Sequence, residues 1–541
     1  MALARTLSVG LVGVTGHLIE VEADLSAGLP GLTFTGLADA SVLESRDRIR
    51  AAVQNSGLGW PNRRITVALL PADLRKHGSM FDLALAVAVL AAAGELPLPS
   101  VSGTCWLGEL GLDGRLRPVR GVLPAVLAAR AHGVSTVVVP GPNAGEAALV
   151  PGLRVLSAGC LGDVVAALRP GGTALPPAAA ATADQPVELP DLAEVVGQPV
   201  ARRALEIAAA GRHHLLLEGA PGAGKTMLAE RMPSILPELS EAEALEVTAI
   251  HSVAGQLADG HGLIRRPPLQ LPHHTSSMAA LVGGGSGLGR PGAASLAHRG
   301  VLVLDEAAEF RPTVLDSLRQ PLESGRITLH RANGAVSFPA RFQLVLATNP
   351  CPCGARKDVD CGCSPDARRR YRRRLSGPLL DRIDLRIPID PVSRADLMAD
   401  AEPPESSAVV AGRVAAARAA ARQRWAGLGW ATNAEVPGPV LRSRRWRPAR
   451  SALSLLDDEL ERGGLSARGC DRVLKLAWTL ADLAGYSAPA PEQVAEAIAL
   501  RTGRGTGQPV GAVPASGRRE PVPRSGARAE PRGARHAALP A

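Results

Sequence analysis

Lysine is scarce in this sequence, and long apolar runs are missing. Of 60 basic residues, four are lysines, at positions 76, 225, 357 and 475. The longest apolar run, residues 83–93, is far shorter than the roughly 20 residues that a membrane-spanning helix needs, so it predicts a buried helix. The N-terminus also lacks the hydrophobic stretch and cleavage site of a signal peptide, so none is predicted. We therefore expect no association with a membrane.

Cysteine is also sparse, and its placement argues against a secreted scaffold. Four of the seven cysteines fall within residues 351–363, whereas a disulfide framework would disperse them along the chain. This clustering predicts a protein of the reducing cytoplasm.

Acidic and basic residues nearly balance over most of the chain. The net charge of +9 arises in two segments: residues 503–541, with seven arginines and two glutamates, and residues 366–374, with six arginines and one aspartate. Each segment carries +5, which leaves −1 for the rest of the chain. Binding to nucleic acid would therefore depend on local patches rather than on overall charge.

Composition divides the 541 residues into several parts, as expected for a chain too long for one core. Strand-like and helix-like runs alternate before and after a Pro/Ala-rich linker, which predicts two α/β domains. A helical pattern follows, and then an Arg/Gly/Pro/Ala-rich tail that predicts disorder. The predicted parts are an α/β domain at 1–169, the linker at 170–190, a second α/β domain at 191–395, a helical domain at 396–502 and the tail at 503–541.

One of the few lysines lies in a glycine-rich turn between a predicted strand and a predicted helix. Residues 219–226 read GAPGAGKT, which is the phosphate-loop pattern. In such a loop backbone N–H groups converge on phosphate oxygens, Lys225 reaches the β and γ phosphates of ATP, and Thr226 holds Mg²⁺. The alternative is a glycine-rich loop with an incidental lysine. The residues expected around the nucleotide are Gly219, Ala220, Pro221, Gly222, Ala223, Gly224, Lys225, Thr226 and Met227.

Two further predicted strands end in polar side chains. Residues 300–304 predict a buried strand that leads into Asp305 and Glu306. At a strand's carboxyl end Asp305 would bind Mg²⁺, and Glu306 would polarise the attacking water. A third strand, within residues 342–350, ends at Asn349, which would orient that water. The alternatives are an acidic helix start for the first pair and an Asn-Pro turn for Asn349.

In this order the three strands resemble those of an AAA+ ATPase, and neighbouring stretches narrow the resemblance. The magnesium-chelatase-like family of ComM and YifB has segments similar to DLAEVVGQPVARRALEIAAAG, PHHTSSMAALVGGG, PGAASLAHRGVLVLDE, ATNPCPCG and SGPLLDRIDL. The resemblance covers nearly all of residues 1–502. It implies a P-loop αβα core, a C-terminal helical lid, and a ring, with a homo-hexamer expected, that binds ATP between subunits.

The same resemblance implies roles for single residues. Asn349 becomes sensor 1, Arg382 the arginine finger that reaches the γ-phosphate of a neighbouring subunit, and Arg468 sensor 2 in the lid. Gln198 is expected near the adenine base. Taken alone, Arg382 and Arg468 are equally compatible with surface salt bridges.

The family's ATPases also carry an insert in the second helix and a hairpin before sensor 1. Residues 263–290 would contain the insert, and residues 325–341 would form the hairpin, with an Asn-Gly turn at 333–334. Because such hairpins point into the ring channel, His330 and Arg331 become candidate DNA contacts.

The N-terminal segments 74–94 and 106–140 resemble the proteolytic domain of Lon, a ribosomal S5 domain 2-like α/β fold. Lon activity needs a Ser–Lys dyad. Met80 falls where the serine is expected, with Ser79 adjacent, and Leu123 falls where the lysine is expected. We therefore expect a non-proteolytic Lon-like domain, with a protease as the alternative.

The cysteine cluster and the arginine run follow Asn349. Four thiolates for a tetrahedral, structural Zn²⁺ site are available from Cys351, Cys353, Cys361 and Cys363. The alternative is four reduced thiols on a loop. Arg368–Arg374, around Tyr371, predicts a loop that neutralises DNA phosphates in a channel, or one that is simply solvated.

Together these features predict a cytoplasmic ATPase, with ATP and Mg²⁺ as cofactors, that moves on branched or single-stranded DNA. The family resemblance suggests branch migration during recombination of incoming DNA. One alternative is a motor subunit that inserts Mg²⁺ into a tetrapyrrole, although the Lon-like domain argues against it. Another is a protein remodeller or scaffold with a degenerate Lon-like domain.

Overall fold

The computed structural model describes residues 2–37, 39–179, 188–257, 262–285, 289–331, 334–355, 360–392 and 404–504. Residues 180–187 of the predicted linker and residues 505–541 of the predicted tail lie outside the described residues. Disorder in the tail therefore stays a prediction.

The N-terminal part is built on a mixed sheet in the order β3-β4-β2-β1-β5-β8-β9. β1 and β2 pair antiparallel over their whole length, whereas β5, β8 and β9 extend the sheet in parallel. A short hairpin, β6–β7, lies outside this sheet. The strands are β1 (Ala2–Val12), β2 (Thr15–Ser26), β3 (Gly31–Thr35), β4 (Arg64–Leu70), β5 (Thr104–Trp106), β6 (Glu109–Leu110), β7 (Leu116–Arg117), β8 (Thr136–Pro140) and β9 (Arg154–Ala158).

Six α-helices accompany this sheet in the described part of the chain. Every residue of α2 is buried, which confirms the buried helix predicted from the apolar run. Its first residue, Asp82, is charged, unlike the apolar residues that follow. Arg48 Nε donates to the Asp82 carboxylate at 2.8 Å. The helices are α1 (Ala40–Asn55), α2 (Asp82–Ala92), α3 (Leu98–Val101), α4 (Val122–Ala131), α5 (Ala144–Ala147) and α6 (Leu161–Leu168).

The second part contains a parallel five-stranded sheet in the order β11-β14-β17-β10-β18. Its inner strands are rich in apolar residues, as expected where helices cover both faces of a parallel sheet. β14 and β17 are buried at every position. The carboxyl ends of β10, β14 and β17 therefore meet at one edge. The strands are β10 (Leu215–Gly219), β11 (Leu269–Gln270), β12 (Gly283–Gly284), β13 (Arg290–Pro291), β14 (Val301–Leu304), β15 (Arg326–Arg331), β16 (Gly334–Pro339), β17 (Gln343–Thr348) and β18 (Leu385–Ile389).

Two small hairpins project from this part. β15 and β16 pair antiparallel from Arg326↔Pro339 to Arg331↔Gly334, as predicted, while residues 332–333 of the predicted turn lie outside the described residues. β12 and β13 lie in the predicted insert, of which residues 286–288 are not described. The helices here are α7 (Pro199–Gly211), α8 (Lys225–Glu230), α9 (Glu241–Ala254), α10 (Met278–Val282), α11 (Ala293–Leu296), α12 (Pro312–Asp316), α13 (Pro321–Ser324), α14 (Pro365–Arg372) and α15 (Gly377–Leu380).

The C-terminal part, which we call the lid, contains helices and connecting loops, and no strand, among its described residues. A tryptophan cluster forms part of its core: Trp425 is fully buried, and the rings of Trp430, Trp446 and Trp478 lie 4.7–6.2 Å from it. Among the described helices, none combines the length and hydropathy that crossing a membrane requires. The lid helices are α16 (Ser407–Arg424), α17 (Gly438–Leu441), α18 (Arg450–Glu461), α19 (Ala467–Ala484) and α20 (Pro491–Thr502).

Helix α9 packs the parallel-sheet part against the Lon-like part. Its residue Ala249 belongs to the apolar cluster that contains Met80 and Leu123. Ser252, near its end, donates to the carboxylate of Glu146. The two positions at which Lon would carry its dyad are therefore buried and apolar, in a cluster to which a helix of the other part contributes.

Candidate functional site

The phosphate loop connects the buried strand β10 to helix α8. Gly224, just before α8, has a φ of 88°, a conformation that glycine adopts without the steric cost that other residues incur. The bend brings Lys225 and Thr226 into a cavity of about 390 Å³. The cavity is lined by Pro221, Gly222, Gly224, Lys225, Thr226, Met227, Asp305, Glu306, Thr348 and Asn349.

Lys225 is 8% exposed and makes three hydrogen bonds. Its Nζ donates to the carbonyls of Gly219 at 2.8 Å and Ala220 at 2.9 Å, and to Asn349 Oδ1 at 3.0 Å. Burial lowers the pKa of Lys225, and the nearby carboxylate of Asp305 opposes that shift. The ammonium is thus held at the carboxyl end of the sheet, in a position to meet an anionic ligand.

Thr226 and Asp305 place two oxygen atoms side by side. Thr226 Oγ1 donates to Asp305 Oδ2 at 2.6 Å, and the backbone N–H of Glu306 donates to Asp305 Oδ1 at 2.8 Å. A hydroxyl and a carboxylate are the hard oxygen ligands that Mg²⁺ prefers. The residues present therefore fit a magnesium ion bound next to a phosphate.

Glu306 stands in a constrained backbone position and has a partner that the sequence did not reveal. Its φ is 49°, in the left-handed region, and its Oε2 lies 2.9 Å from Nδ1 of His274. His274 reaches this position because β11 pairs with β14 in the register Leu269↔Val301. The Pro-His-His-Thr stretch was visible in the sequence, but this two-residue strand pairing was not.

Gln198, which the family resemblance places near the base, contacts the backbone of the phosphate loop. Its Nε2 donates to the carbonyl of Ala223 at 3.4 Å and to that of Asp390. Gln198, Gly219, Ala220 and Ala223 do not line the cavity described above. The contact of these four residues with a nucleotide stays a prediction.

Arg382 and Arg468 lie together in a second cavity of about 190 Å³. It shares no lining residue with the first and is formed by Glu323, Asp381, Arg382, Gly438, Arg468, Asp471, Arg472 and Lys475. Arg382 pairs with Glu323 and donates to the carbonyl of Pro378 at 2.6 Å. Arg468 is exposed and has no ion pair among the described residues. The sequence did not predict that these arginines share a site.

A buried carboxylate joins this second cavity to the core sheet. Asp384 is fully buried and accepts from Arg472 Nη1 at 2.5 Å and from the backbone N–H of His214 at 2.9 Å. Although its burial opposes the shift, Arg472 and His213 hold the pKa of Asp384 well below its usual range. Arg472 belongs to α19, so the ion pair ties the lid to the strand that follows Arg382.

The four clustered cysteines converge directly after Asn349. Their sulfur atoms all lie within 4.8 Å of one another, and the Sγ atoms of Cys351 and Cys353 are 3.1 Å apart. Tetrahedral Zn²⁺ with Zn–S bonds near 2.3 Å needs sulfurs about 3.8 Å apart, so this donor set fits zinc. Gly354, next to Cys353, packs closely against the phosphate loop, since a Cβ added to it would lie 2.8 Å from Pro221 Cγ.

The arginine run is a helix, which corrects the predicted loop. Ser364 accepts a hydrogen bond from the N–H of Ala367, and Pro365 occupies the first turn of α14. Both are ordinary signals of a helix start. Apart from this run, the predicted DNA contacts His330 and Arg331 are exposed at the end of β15.

The described residues form no Ser–Lys pair at the Lon-like site. Ser79 donates to the carboxylate of Glu109, and Lys76, which is buried, donates to the carbonyl of Pro71. A nucleophile without its general base is not activated for peptide hydrolysis.

Three family models match the chain. That for magnesium chelatase, subunit ChlI, covers residues 191–397, that for subunit ChlI of Mg-chelatase covers residues 21–143, and that for the C-terminal part of the ChlI subunit covers residues 404–501.

Curated relatives match over nearly their whole length. Competence protein ComM of Haemophilus influenzae is 41% identical over 506 residues, which are 93% of this chain and 98% of that protein. YifB of Escherichia coli is 41% identical over 501 residues, or 93% and 97% of the two chains. An uncharacterized protein of Mycobacterium tuberculosis is 54% identical over 501 residues, or 93% and 99%.

The N-terminal part has a separate relative. Lon protease of Mycolicibacterium smegmatis is 31% identical over 140 residues, which are 25% of this chain and 18% of that protein. This similarity and the parallel-sheet core agree with the predicted α/β fold of a Lon-like domain followed by an AAA+ core. The chain belongs to the ComM and YifB family of magnesium-chelatase-like AAA+ ATPases.

Proposed function

We propose that this protein hydrolyses ATP and couples the hydrolysis to movement on DNA, with branch migration during recombination as its activity. Five side chains support the ATPase by converging on one cavity: Lys225, Thr226, Asp305, Glu306 and Asn349. Together they offer a cation for phosphates, oxygen ligands for Mg²⁺, a carboxylate base and an orienting amide. Hydrolysis of a phosphoanhydride by water needs these groups.

Each side chain has a distinct task in this proposal. Lys225 binds the β and γ phosphates of ATP, and Asn349 orients the attacking water. Thr226 and Asp305 would hold Mg²⁺, which when bound offsets the negative charge on the phosphates. Glu306 accepts the proton of that water on Oε1, because its Oε2 is engaged by His274.

A ring of subunits would explain why two predicted catalytic arginines lie outside the nucleotide cavity of their own chain. Arg382 and Arg468 share a cavity that has no lining residue in common with the nucleotide cavity of the same chain. Both would therefore act on the nucleotide of a neighbouring subunit, as arginine finger and as sensor 2. A homo-hexamer is the ring size that the family resemblance implies.

The DNA part of the proposal depends on exposed basic groups and on the relatives. His330, Arg331 and three arginines of α14 (Arg369, Arg370 and Arg372) are exposed in the described structure. One relative is named competence protein ComM, which favours incoming DNA as the substrate. The exposed arginines would neutralise its phosphates.

Steady-state ATP hydrolysis with and without DNA tests this proposal. Single-stranded, duplex and four-way-junction DNA are compared, and stimulation largest for the junction is expected. Lys225→Ala should abolish ATP binding, whereas Glu306→Gln should keep binding and lower kcat by about 10²-fold or more. ATPase activity indifferent to every DNA would favour the chelatase-type motor or the protein remodeller instead.

We further propose a structural Zn²⁺ held by Cys351, Cys353, Cys361 and Cys363. Four protein thiolates leave no open position for catalysis. Elemental analysis of the purified protein should find about one zinc per chain, lost in Cys353→Ser and retained in the control Cys470→Ser. Zinc-free protein with full thermal stability would contradict this assignment.

A reducing cytoplasm is the compartment we propose, since it keeps four such thiols available for metal binding. We also propose that the chain is divided functionally into a Lon-like domain at 1–169, an ATPase core at 191–395 and a lid at 396–502.

A further inference from the structure

The buried side of helix α14, which carries Tyr371, packs next to the nucleotide site. Tyr371 is 4% exposed. The guanidinium of Arg374, just past the helix, lies 5.7 Å from the Tyr371 ring centroid. Arg374 Nη1 donates to the carbonyl of Ala308 at 3.0 Å and to the carboxylate of Glu309 at 2.8 Å. The helix is therefore held against the turn that follows the end of β14.

The groups that hold α14 are themselves part of the catalytic edge of the sheet. The backbone N–H of Glu309 donates to the carbonyl of Glu306 at 2.7 Å. Burial raises the pKa of the Tyr371 hydroxyl to about 12; the Glu309 carboxylate raises it as well, whereas the Thr348 side chain lowers it. Thr348 lines the nucleotide cavity beside Asn349. Two strand ends of the site thus contact one helix.

The outer face of α14 is strongly basic. Arg369, Arg370, Arg372 and Arg373 are exposed. Arg369 pairs with Asp366 at 2.6 Å, whereas the other three have no acidic partner among the described residues. Three exposed guanidinium groups without acidic partners, within four consecutive residues, provide the positive charge and hydrogen-bond donors that bind phosphate groups.

We infer that the outer face of α14 binds the phosphate backbone of DNA, and that Tyr371 and Arg374 transmit this binding to the turn that carries Glu306. This inference deepens the proposed DNA-stimulated ATPase and rests on it. A bound ligand shifts a conformational equilibrium only by its differential affinity for the two states. In this inference the two states differ in the contacts that α14 makes with Glu309 and Thr348. DNA binds more tightly to the state that supports hydrolysis and thereby increases its population.

Two sets of variants separate binding from transmission. Tyr371→Phe removes one buried hydroxyl and no charge, so DNA affinity should stay within about twofold of the wild type, whereas the ratio of DNA-stimulated to basal ATPase should fall towards one. Glu309→Gln, which weakens the Arg374 contact, should lower the same ratio. It keeps the test decisive if Tyr371→Phe folds poorly.

The triple variant Arg370→Gln, Arg372→Gln, Arg373→Gln tests the surface itself. Its DNA affinity should fall, and the slope of log K against log salt should decrease by about 2 to 3, because each phosphate contact contributes about 0.9 to that slope. A matched control replaces three exposed lid arginines, Arg444, Arg445 and Arg447, with glutamine and removes the same charge.

The outcomes distinguish this inference from the proposed function. If DNA fails to stimulate the wild-type ATPase, the proposed function and the transmission both fail. If DNA stimulates the wild type and both the Tyr371→Phe and Glu309→Gln proteins equally, the transmission alone is refuted. Equal losses of affinity in the α14 and lid triple variants would refute α14 as the specific surface.

Discussion

Replacing Asp384 with alanine should loosen the junction between the core sheet and the lid. The carboxylate is fully buried, and its partners come from both sides of the junction: Arg472 Nη1 from α19 at 2.5 Å and the His214 N–H from the segment before β10 at 2.9 Å. Asp384 lies two residues after Arg382. The substitution therefore disturbs the segment that presents the proposed arginine finger.

The size of the effect follows from what remains after the carboxylate is removed. Breaking one side of a buried ion pair costs about 3–5 kcal/mol. The side chain of Arg472 is 22% exposed, and its rehydration reduces that cost, while the His214 N–H left without an acceptor adds about 1–3 kcal/mol. We expect a net loss of about 3 kcal/mol, or about 6–12 °C in the melting temperature of a cooperative unit of 150–250 residues.

Differential scanning calorimetry measures this loss, with Asp381→Ala as the control. Asp381 is exposed, and its backbone carbonyl, which the substitution keeps, accepts from Arg472 Nε at 2.9 Å. The control should change stability by no more than about 0.5 kcal/mol. Equal shifts of the melting temperature in the two variants would refute the buried ion pair as the connection between lid and core.

Three further predictions concern the nucleotide site, the phosphate loop and an ion pair of helix α9. His274→Leu removes the donor to Glu306 Oε2, and because this pair is half-exposed, kcat for ATP hydrolysis should fall about 2–5-fold with a smaller change in KM. The control is His273→Leu, because Nδ1 of His273 contacts Thr275 at 2.8 Å instead. A rise in kcat of His274→Leu would contradict the positioning role. Gly354→Ala should raise KM for ATP several-fold, since Gly354 has a φ of 64° and the new Cβ would lie 2.8 Å from Pro221 Cγ. Gly362→Ala is the control and should leave KM unchanged, because Gly362 faces open space. Equal KM values in the two variants would show that the cysteine cluster does not support the phosphate loop. The hydrogen bond from His298, and then Arg299, lowers the pKa of Glu246 from 4.5 to about 2, so the stabilisation by this carboxylate is fully present above about pH 4.5 and is lost as pH falls towards 2. Because the Glu246 side chain is 49% exposed, the effect is limited to about 1 kcal/mol. A stability difference between wild type and Glu246→Gln that stays constant down to pH 2 in thermal melts would contradict this prediction.

Features encoded by contiguous residues were predictable from the sequence. The strand–loop–helix around Lys225 and the acidic end of β14 each lie within a few neighbouring residues, where backbone geometry follows local composition. The hairpin at β15–β16 was implied by the family resemblance, together with an Asn-Gly turn in the sequence. The helical state of the arginine run was also encoded, because Ser364 and Pro365 are start signals, but the charge pattern favoured a loop.

Features that depend on strand order and on packing between distant segments were not predictable. His274 meets Glu306 only because the two-residue strand β11 lies beside β14. The contact between Arg374 and Glu309 spans 65 residues of sequence. The shared cavity of Arg382 and Arg468 likewise joins the core to the lid. Such pairs leave no periodic signal in a single sequence.

A branch-migration assay on a labelled four-way junction tests the central claim most directly. Wild-type protein with ATP and Mg²⁺ should convert the junction into two duplexes. Glu306→Gln should bind ATP and the junction but yield no product, because the water-polarising carboxylate is missing. Active ATP hydrolysis by the wild type without any conversion of the junction, under conditions in which it binds that DNA, would contradict the account.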